Sequence, residues 1–113
     1  MLGVCHSCAN PLTAHYGVTH GVAIGLLLPH VIRFNAEVVG RQYQTLFGPP
    51  EKLAERFAGF VHAAGLPAKL KDCGVTASIL PVLAEEANRQ WTARFNPRPV
   101  TEADILGLYR AAL

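Results

Sequence analysis

Four of the five histidines and two of the three cysteines fall between residues 5 and 35, CHSCANPLTAHYGVTHGVAIGLLLPHVIRFN, which also holds the longest apolar run. A neutral imidazole offers a lone pair from one nitrogen while the other nitrogen is anchored by a neighbour, which makes histidine the commonest protein ligand for a divalent metal. His6 and His20 are the candidate metal ligands. They lack the i, i+4 spacing that puts two imidazoles on one helix face. Pro11, Thr13 and Gly17 lie between them and predict a helix end, a loop and a new helix beginning near His20. Ligands on two elements can meet at one ion from different directions, but a first-row metal takes about four or more. The alternative is that each histidine is simply hydrogen-bonded or solvated.

Cys5 and Cys8 form a C-x-x-C. A structural zinc site would need a second ligand pair, and no second C-x-x-C follows. A redox dithiol sits at a helix N-terminus within a βαβ unit, and no strand precedes this one. Ala9 stands where haem attachment requires histidine. The remaining reading is that both thiols are small apolar residues packed inside a helix.

The pattern His6-x3-Asn10-Pro11-Leu12, Tyr16, His20-Gly21-Val22-Ala23, Leu27-Leu28-Pro29-x-Val31 and Asn35 resembles the metal-binding segment of the iron-containing (group III) alcohol dehydrogenases. Asn96-Pro97-Arg98, Thr101, Asp104-Ile105 and Leu108-Tyr109 resemble that family's C-terminal end, so the likeness covers the whole chain. It implies an all-α helical bundle, the family's C-terminal domain. In full-length members this domain faces an N-terminal dinucleotide-binding domain across a cleft holding a divalent metal, commonly Fe2+ or Zn2+, with NAD(P). By this resemblance His6 and His20 are the last two of four metal ligands. The first two, an aspartate and a histidine further upstream, have no counterpart here. Asn10 stands where many members carry a histidine facing the nicotinamide. An amide can hydrogen-bond at that cofactor-facing position but cannot titrate near neutral pH. His15 is the nearby substitute for a proton relay, against the alternative of a solvent-facing loop histidine.

At 113 residues the sequence is expected to form one helical domain, small for an enzyme that binds a dinucleotide. Half the residues are hydrophobic, an excess expected of a surface covered by the absent N-terminal domain or by a second copy in a homo-oligomer. A net charge of +2 without a basic stripe gives no support for nucleic acid. Three cysteines outside any secreted framework favour a cytoplasmic setting. The run 22–32 is too short to span a membrane, and residues 1 onward lack the marks of a signal peptide.

The elements that must position these groups read as follows. Residues 1–9 form a helix with no cap before Leu2, so Met1 falls inside an element, as in a truncated member or fragment. A buried helix over 20–35 is bent at Pro29, which sets the approach of His20, and is capped by Asn35. A short helix over 41–47 stops at Gly48-Pro49-Pro50. The helix over 51–64 buries Leu53, Phe57, Phe60, Val61 and Ala64. After a connector pinned by Leu70, a helix over 77–94 is capped by Thr76 or Ser78 and buries Ile79, Leu80, Leu83, Ala87 and Trp91. Glu85 and Glu86 form surface pairs with Arg89. Thr101 and Asp104 form a capping box for a last helix docked through Ile105, Leu108, Tyr109 and Ala112.

The functional expectation is the metal-bearing part of an NAD(P)-dependent alcohol dehydrogenase. No Gly-rich phosphate loop is present, so the isolated chain is expected to be inactive. The alternative is a stand-alone helical metal-binding or dimerisation module, in which two copies bring two His6 and His20 pairs together. A third is a fragment without function.

Overall fold

The architecture comes from a computed structural model, which describes residues 3–113. Met1 and Leu2, where the sequence reading placed an uncapped helix start, lie outside the described residues. The described residues form five α-helices and three short 3₁₀ turns with no strand: α1 Gly3–Tyr16, α2 His20–Phe47, α3 Pro50–Ala63, α4 Leu80–Arg89 and α5 Glu102–Ala112. The fold is all-α, as the sequence implies.

One core holds the body together. Val4, Cys5, Cys8, Ala9 and Leu12 of α1 meet Ala23, Leu26, Leu27 and Val31 of α2, Leu80, Leu83 and Ala87 of α4, and Ile105, Leu108 and Tyr109 of α5. Tyr109, fully buried, donates its hydroxyl hydrogen to the Cys8 carbonyl at 2.6 Å, which fixes α5 against the middle of α1. Such a buried phenol needs a partner because an unpaired hydroxyl in the core costs about 1–3 kcal/mol.

Two helices are longer than the sequence suggests. α1 does not stop near residue 9 but runs through Pro11 to Tyr16. Pro11 removes one backbone donor, yet its ring is buried with Leu12 beside it, and packing outweighs the lost bond. α2, His20–Phe47, keeps helical backbone angles past Pro29 and kinks at Val39 (φ −112°, ψ 19°), so the expected short helix over 41–47 is present beyond that kink with no loop before it. Asn35 is therefore no helix cap. It lies buried in mid-helix and exchanges amide hydrogen bonds with Asn96. At 28 residues α2 is long and apolar enough, by length and composition, to cross a bilayer, which the run 22–32 is not. Its inner face is packed in the core instead.

α3 packs on α2 through a smaller cluster of Ile32, Leu53 and Ala54, with Phe57 partly buried. Phe60 and Ala64, expected inside, are exposed, because no described element covers the outer side of this helical pair. The expected helix over 77–94 is divided: a 3₁₀ turn Ala77–Ile79 leads into α4, and a second, Trp91–Phe95, follows it. Gln90 between them is extended (φ −70°, ψ 130°), which turns Trp91 out to solvent at 59% exposure. Thr76 and Ser78 bond each other rather than capping the helix. The capping box at α5 is present in full: Thr101 Oγ1 accepts from the Asp104 N–H, and the Asp104 carboxylate accepts from the Thr101 N–H.

Candidate functional site

His6 lies on the second turn of α1 and His20 is the first residue of α2. The ring centroids stand 5.2 Å apart with planes inclined by 47°. The link between the helices makes this meeting possible. Gly17 takes φ +63°, a left-handed conformation that suits glycine. Thr13 then clasps the reversed chain, its hydroxyl donating to the Val18 carbonyl at 2.9 Å while its own carbonyl accepts from Gly17 N–H at 3.0 Å. The chain thus folds back over α1 and starts α2 beside His6, about 15 Å of helix rise before the end of α1. Cys5 seals the crossing by donating its thiol hydrogen to the Ile24 carbonyl at 3.7 Å. The approach of His20 is set by this link rather than by a bend at Pro29.

Two imidazoles at this separation can share a small cation. A metal sits about 2.0–2.1 Å from a ligating histidine nitrogen, so two rings on one tetrahedral ion place their centres about 5 Å apart. No group of three or more histidine, cysteine, aspartate or glutamate side chains able to hold a metal occurs among the described residues. Two imidazoles alone fall short of the four ligands that a first-row metal takes.

Asn10 follows His6 by four residues, so it stands on nearly the same face of α1, one turn further along. Its amide nitrogen donates to Gln90 Oε1 at 3.2 Å. His15 follows His6 by nine residues and therefore projects from roughly the opposite side of the helix. It belongs to the last turn of α1, not to a loop, and its Nε2 lies 2.8 Å from the Glu86 carboxylate. That contact takes Glu86 away from Arg89, which pairs with Glu85 instead.

The C-x-x-C is part of the core. Burial pushes the Cys5 thiol up to about 12, and the Cys8 thiol is raised by burial and then by the nearby Cys5. Neither is poised to become a thiolate, the form that binds metal or attacks a disulfide.

Gln90 and Asn96 were not among the candidate site residues. The 3₁₀ turn Trp91–Phe95 lies along α1, so Gln90 reaches Asn10 at one end while Asn96 Oδ1 accepts from Val4 N–H at 3.5 Å at the other. In the sequence Asn96 is marked by the family resemblance of Asn96-Pro97-Arg98, and 91–94 reads as the end of a helix. Nothing in the periodicity marked Gln90.

The sequence matches the Fe-containing alcohol dehydrogenase family, C-terminal, over residues 1–113. It is 35% identical to lactaldehyde reductase of Escherichia coli K12, a similarity that covers 98% of this chain and 32% of that protein. It is 33% identical to 1,3-propanediol dehydrogenase of Klebsiella pneumoniae, with the same two coverages. The crystal structure of a 1,3-propanediol oxidoreductase superposes with a TM-score of 0.86 at 29% identity, over 98% of this chain and 32% of that one. A sulfoacetaldehyde reductase from Bifidobacterium kashiwanohense, solved in complex with NAD+, shares the fold with a TM-score of 0.82 at 24% identity, over 97% of this chain and 30% of its own. The chain thus spans about a third of the length of these relatives. With its five helices matching theirs along nearly its whole length, the chain belongs to the iron-containing alcohol dehydrogenase family, and its match is to the C-terminal part.

Proposed function

We propose that this chain is the helical, metal-bearing C-terminal part of an NAD(P)-dependent alcohol dehydrogenase, and that His6 and His20 give two ligands to its divalent cation, Fe2+ or Zn2+. The observation that carries this reading is the 5.2 Å approach of two imidazoles from separate helices, in a chain of this family. A bound cation supplies Lewis acidity toward an alcohol oxygen, and the nicotinamide accepts hydride.

The chain's own residues fix the geometry. The Thr13 and Gly17 link holds His20 against His6, and the buried Cys5, Cys8 and Tyr109 keep α1 from sliding. Asn10, one turn from His6, faces the nicotinamide side in this reading and hydrogen-bonds without moving a proton. His15 is a poor relay substitute, since it leaves the other side of α1 toward Glu86. The dinucleotide-binding part and the other two ligands come from further polypeptide, in line with the chain spanning a third of its relatives. The setting is cytoplasmic in this proposal, and the isolated chain is inactive.

A second reading has one observation in its favour. Val38, Leu46, Phe47 and Phe60 are all more than half exposed on α2 and α3, and His20 is exposed as well. In this reading two copies associate as a homo-oligomer, and their histidine pairs make a four-imidazole site in a module without dehydrogenase activity.

The test joins the chain to the N-terminal part of lactaldehyde reductase and follows NAD(P)H formation from short alcohols with Fe2+ present. The dehydrogenase reading expects turnover only in the joined protein, lost in His6→Ala and His20→Ala. Undiminished turnover in both variants contradicts it. Metal-dependent dimerisation of the separate chain, without turnover in the joined one, favours the second reading.

A further inference from the structure

We infer that the cleft between the end of α2 and α3 binds a fatty carboxylate, its chain lying on Phe47, Phe57 and Phe60 and its head group held by Lys52 and Arg56. The inference is independent of the proposed metal site, because Phe47 closes α2 at the end opposite His20, about 40 Å of helix rise away.

The local sequence builds the cleft. The chain reverses at Gly48, whose φ of +91° suits glycine, and α3 opens on Pro50. Leu46 and Phe47 are thereby left across from α3, lining a cavity of about 640 Å³. Buried Leu53 contributes to its floor, and the rings of Phe57 and Phe60 stand edge to face at 5.9 Å along its wall. Leu46, Phe47 and Phe60 are 70%, 65% and 56% exposed, so the apolar surface is open to a ligand. A concave space of this size, with aromatic and aliphatic walls and a few polar groups, has the character of a small-molecule site.

The charges of α3 say which small molecule. Glu51 accepts from Arg33 Nε at 2.9 Å and from its Nη2 at 2.5 Å, and Glu55, one turn on, also acts on Arg33. The acidic row of α3 is thus turned toward α2 at Arg33. Lys52 and Arg56, each one residue further and so about 100° round the helix, line the cleft instead. The ion pairs among the described residues are made by His15, Arg33, Arg89 and Arg98, whereas the Arg56 guanidinium lies 5.9 Å from the centre of the Phe60 ring. Two cations one turn apart at the rim of an apolar cleft match an anionic head on an apolar chain, and the planar guanidinium suits a carboxylate. A second copy fits this cleft poorly: a two-fold contact centred here would set Lys52 and Arg56 against the same cations of the other chain.

The experiment titrates the 113-residue chain, and separately the same chain joined to the N-terminal part of lactaldehyde reductase, with dodecanoate below its micelle concentration, 1-dodecanol and acetate. Labelling phenylalanine with ¹³C reports the site. The variants are Phe60→Ser and the double variant Lys52→Gln, Arg56→Gln, all at exposed positions of α3 where the fold tolerates change. Wild type should bind a single dodecanoate in both proteins, moving the Phe47, Phe57 and Phe60 signals and leaving Phe34 and Phe95 in place, and acetate should move none. The double variant should bind dodecanoate about tenfold more weakly and keep the wild-type affinity for 1-dodecanol. Phe60→Ser should weaken both. Equal dodecanoate binding in wild type and the double variant, a response that does not saturate, signals that move at Phe34 or Phe95 instead, or loss of binding in the joined protein overturns the inference. A wild-type chain that dimerises through this face and excludes dodecanoate overturns it as well.

Discussion

Asn35 and Asn96, 61 residues apart, face each other as a reciprocal amide pair: Asn96 Nδ2 donates to Asn35 Oδ1 at 2.7 Å, and Asn35 Nδ2 donates to Asn96 Oδ1 at 3.2 Å. The pair ties mid-α2 to the turn before α5, and the same Asn96 also accepts from Val4 N–H in α1. Arg98 reinforces the tie by donating to the Phe34 carbonyl at 3.0 Å with its guanidinium over the Phe34 ring. Because a lone buried amide costs more than a satisfied one gains, Asn35→Ala and Asn96→Ala should each destabilise the fold by about 1–3 kcal/mol. The double variant should lose less than the sum of the two. Urea unfolding of the three variants measures this, and strictly additive losses would argue that the two amides act independently.

The capping box predicts a pH dependence at the start of α5. Hydrogen bonds from the Thr101 N–H and then its hydroxyl hold the Asp104 carboxyl below the usual carboxylate range. A depressed folded value means that this stabilisation is complete above the unfolded value of about 3.9 and is lost as pH falls through the lower folded one. Wild type should therefore lose stability below about pH 4 more steeply than Asp104→Asn. Thr101→Ala should cost about 1 kcal/mol at neutral pH.

Thr92 gives a prediction of opposite sign. It is buried at 3% exposure, and its hydroxyl has no hydrogen-bond partner among the described residues. Thr92→Val keeps the shape and removes the unpaired group, so it should raise stability by about 1 kcal/mol. Thermal unfolding at neutral pH checks the direction.

Thiol chemistry separates the three cysteines. Cys5 and Cys8 are buried with raised thiols, whereas Cys73 is only half-buried, though burial and then Asp72 raise it too. A disulfide reagent at pH 8 should modify Cys73 first and reach the other two only as the chain unfolds. Fast reaction of Cys5 in the native chain would contradict its place in the core.

Much of this fold is visible in the residues. The capping box, the proline opening α3 and the buried faces of α4 and α5 follow from local chemistry that acts within a turn or two. The misreadings share one cause. Pro11 and Asn35 carry helix-ending signals, yet one is offset by burial beside Leu12 and the other by the amide of Asn96, partners set by packing. Trp91 reads as core until the break at Gln90 turns it outward. His6 and His20 stood out by residue type and resemblance, but their approach depends on the reversal at Gly17, which spacing does not reveal. Gln90 carried no signal because its hydrogen bond with Asn10 forms only where α4 ends against α1.

The central claim is that His6 and His20 give two ligands to one cation, and calorimetric titration with Zn2+ of the chain joined to the N-terminal part of lactaldehyde reductase tests it most directly. The account predicts one ion per site, with binding abolished in His6→Ala and in His20→Ala and unchanged in the Cys5→Ala, Cys8→Ala double variant. Zn2+ binding that survives in both histidine variants, or that disappears with the cysteines, would contradict it.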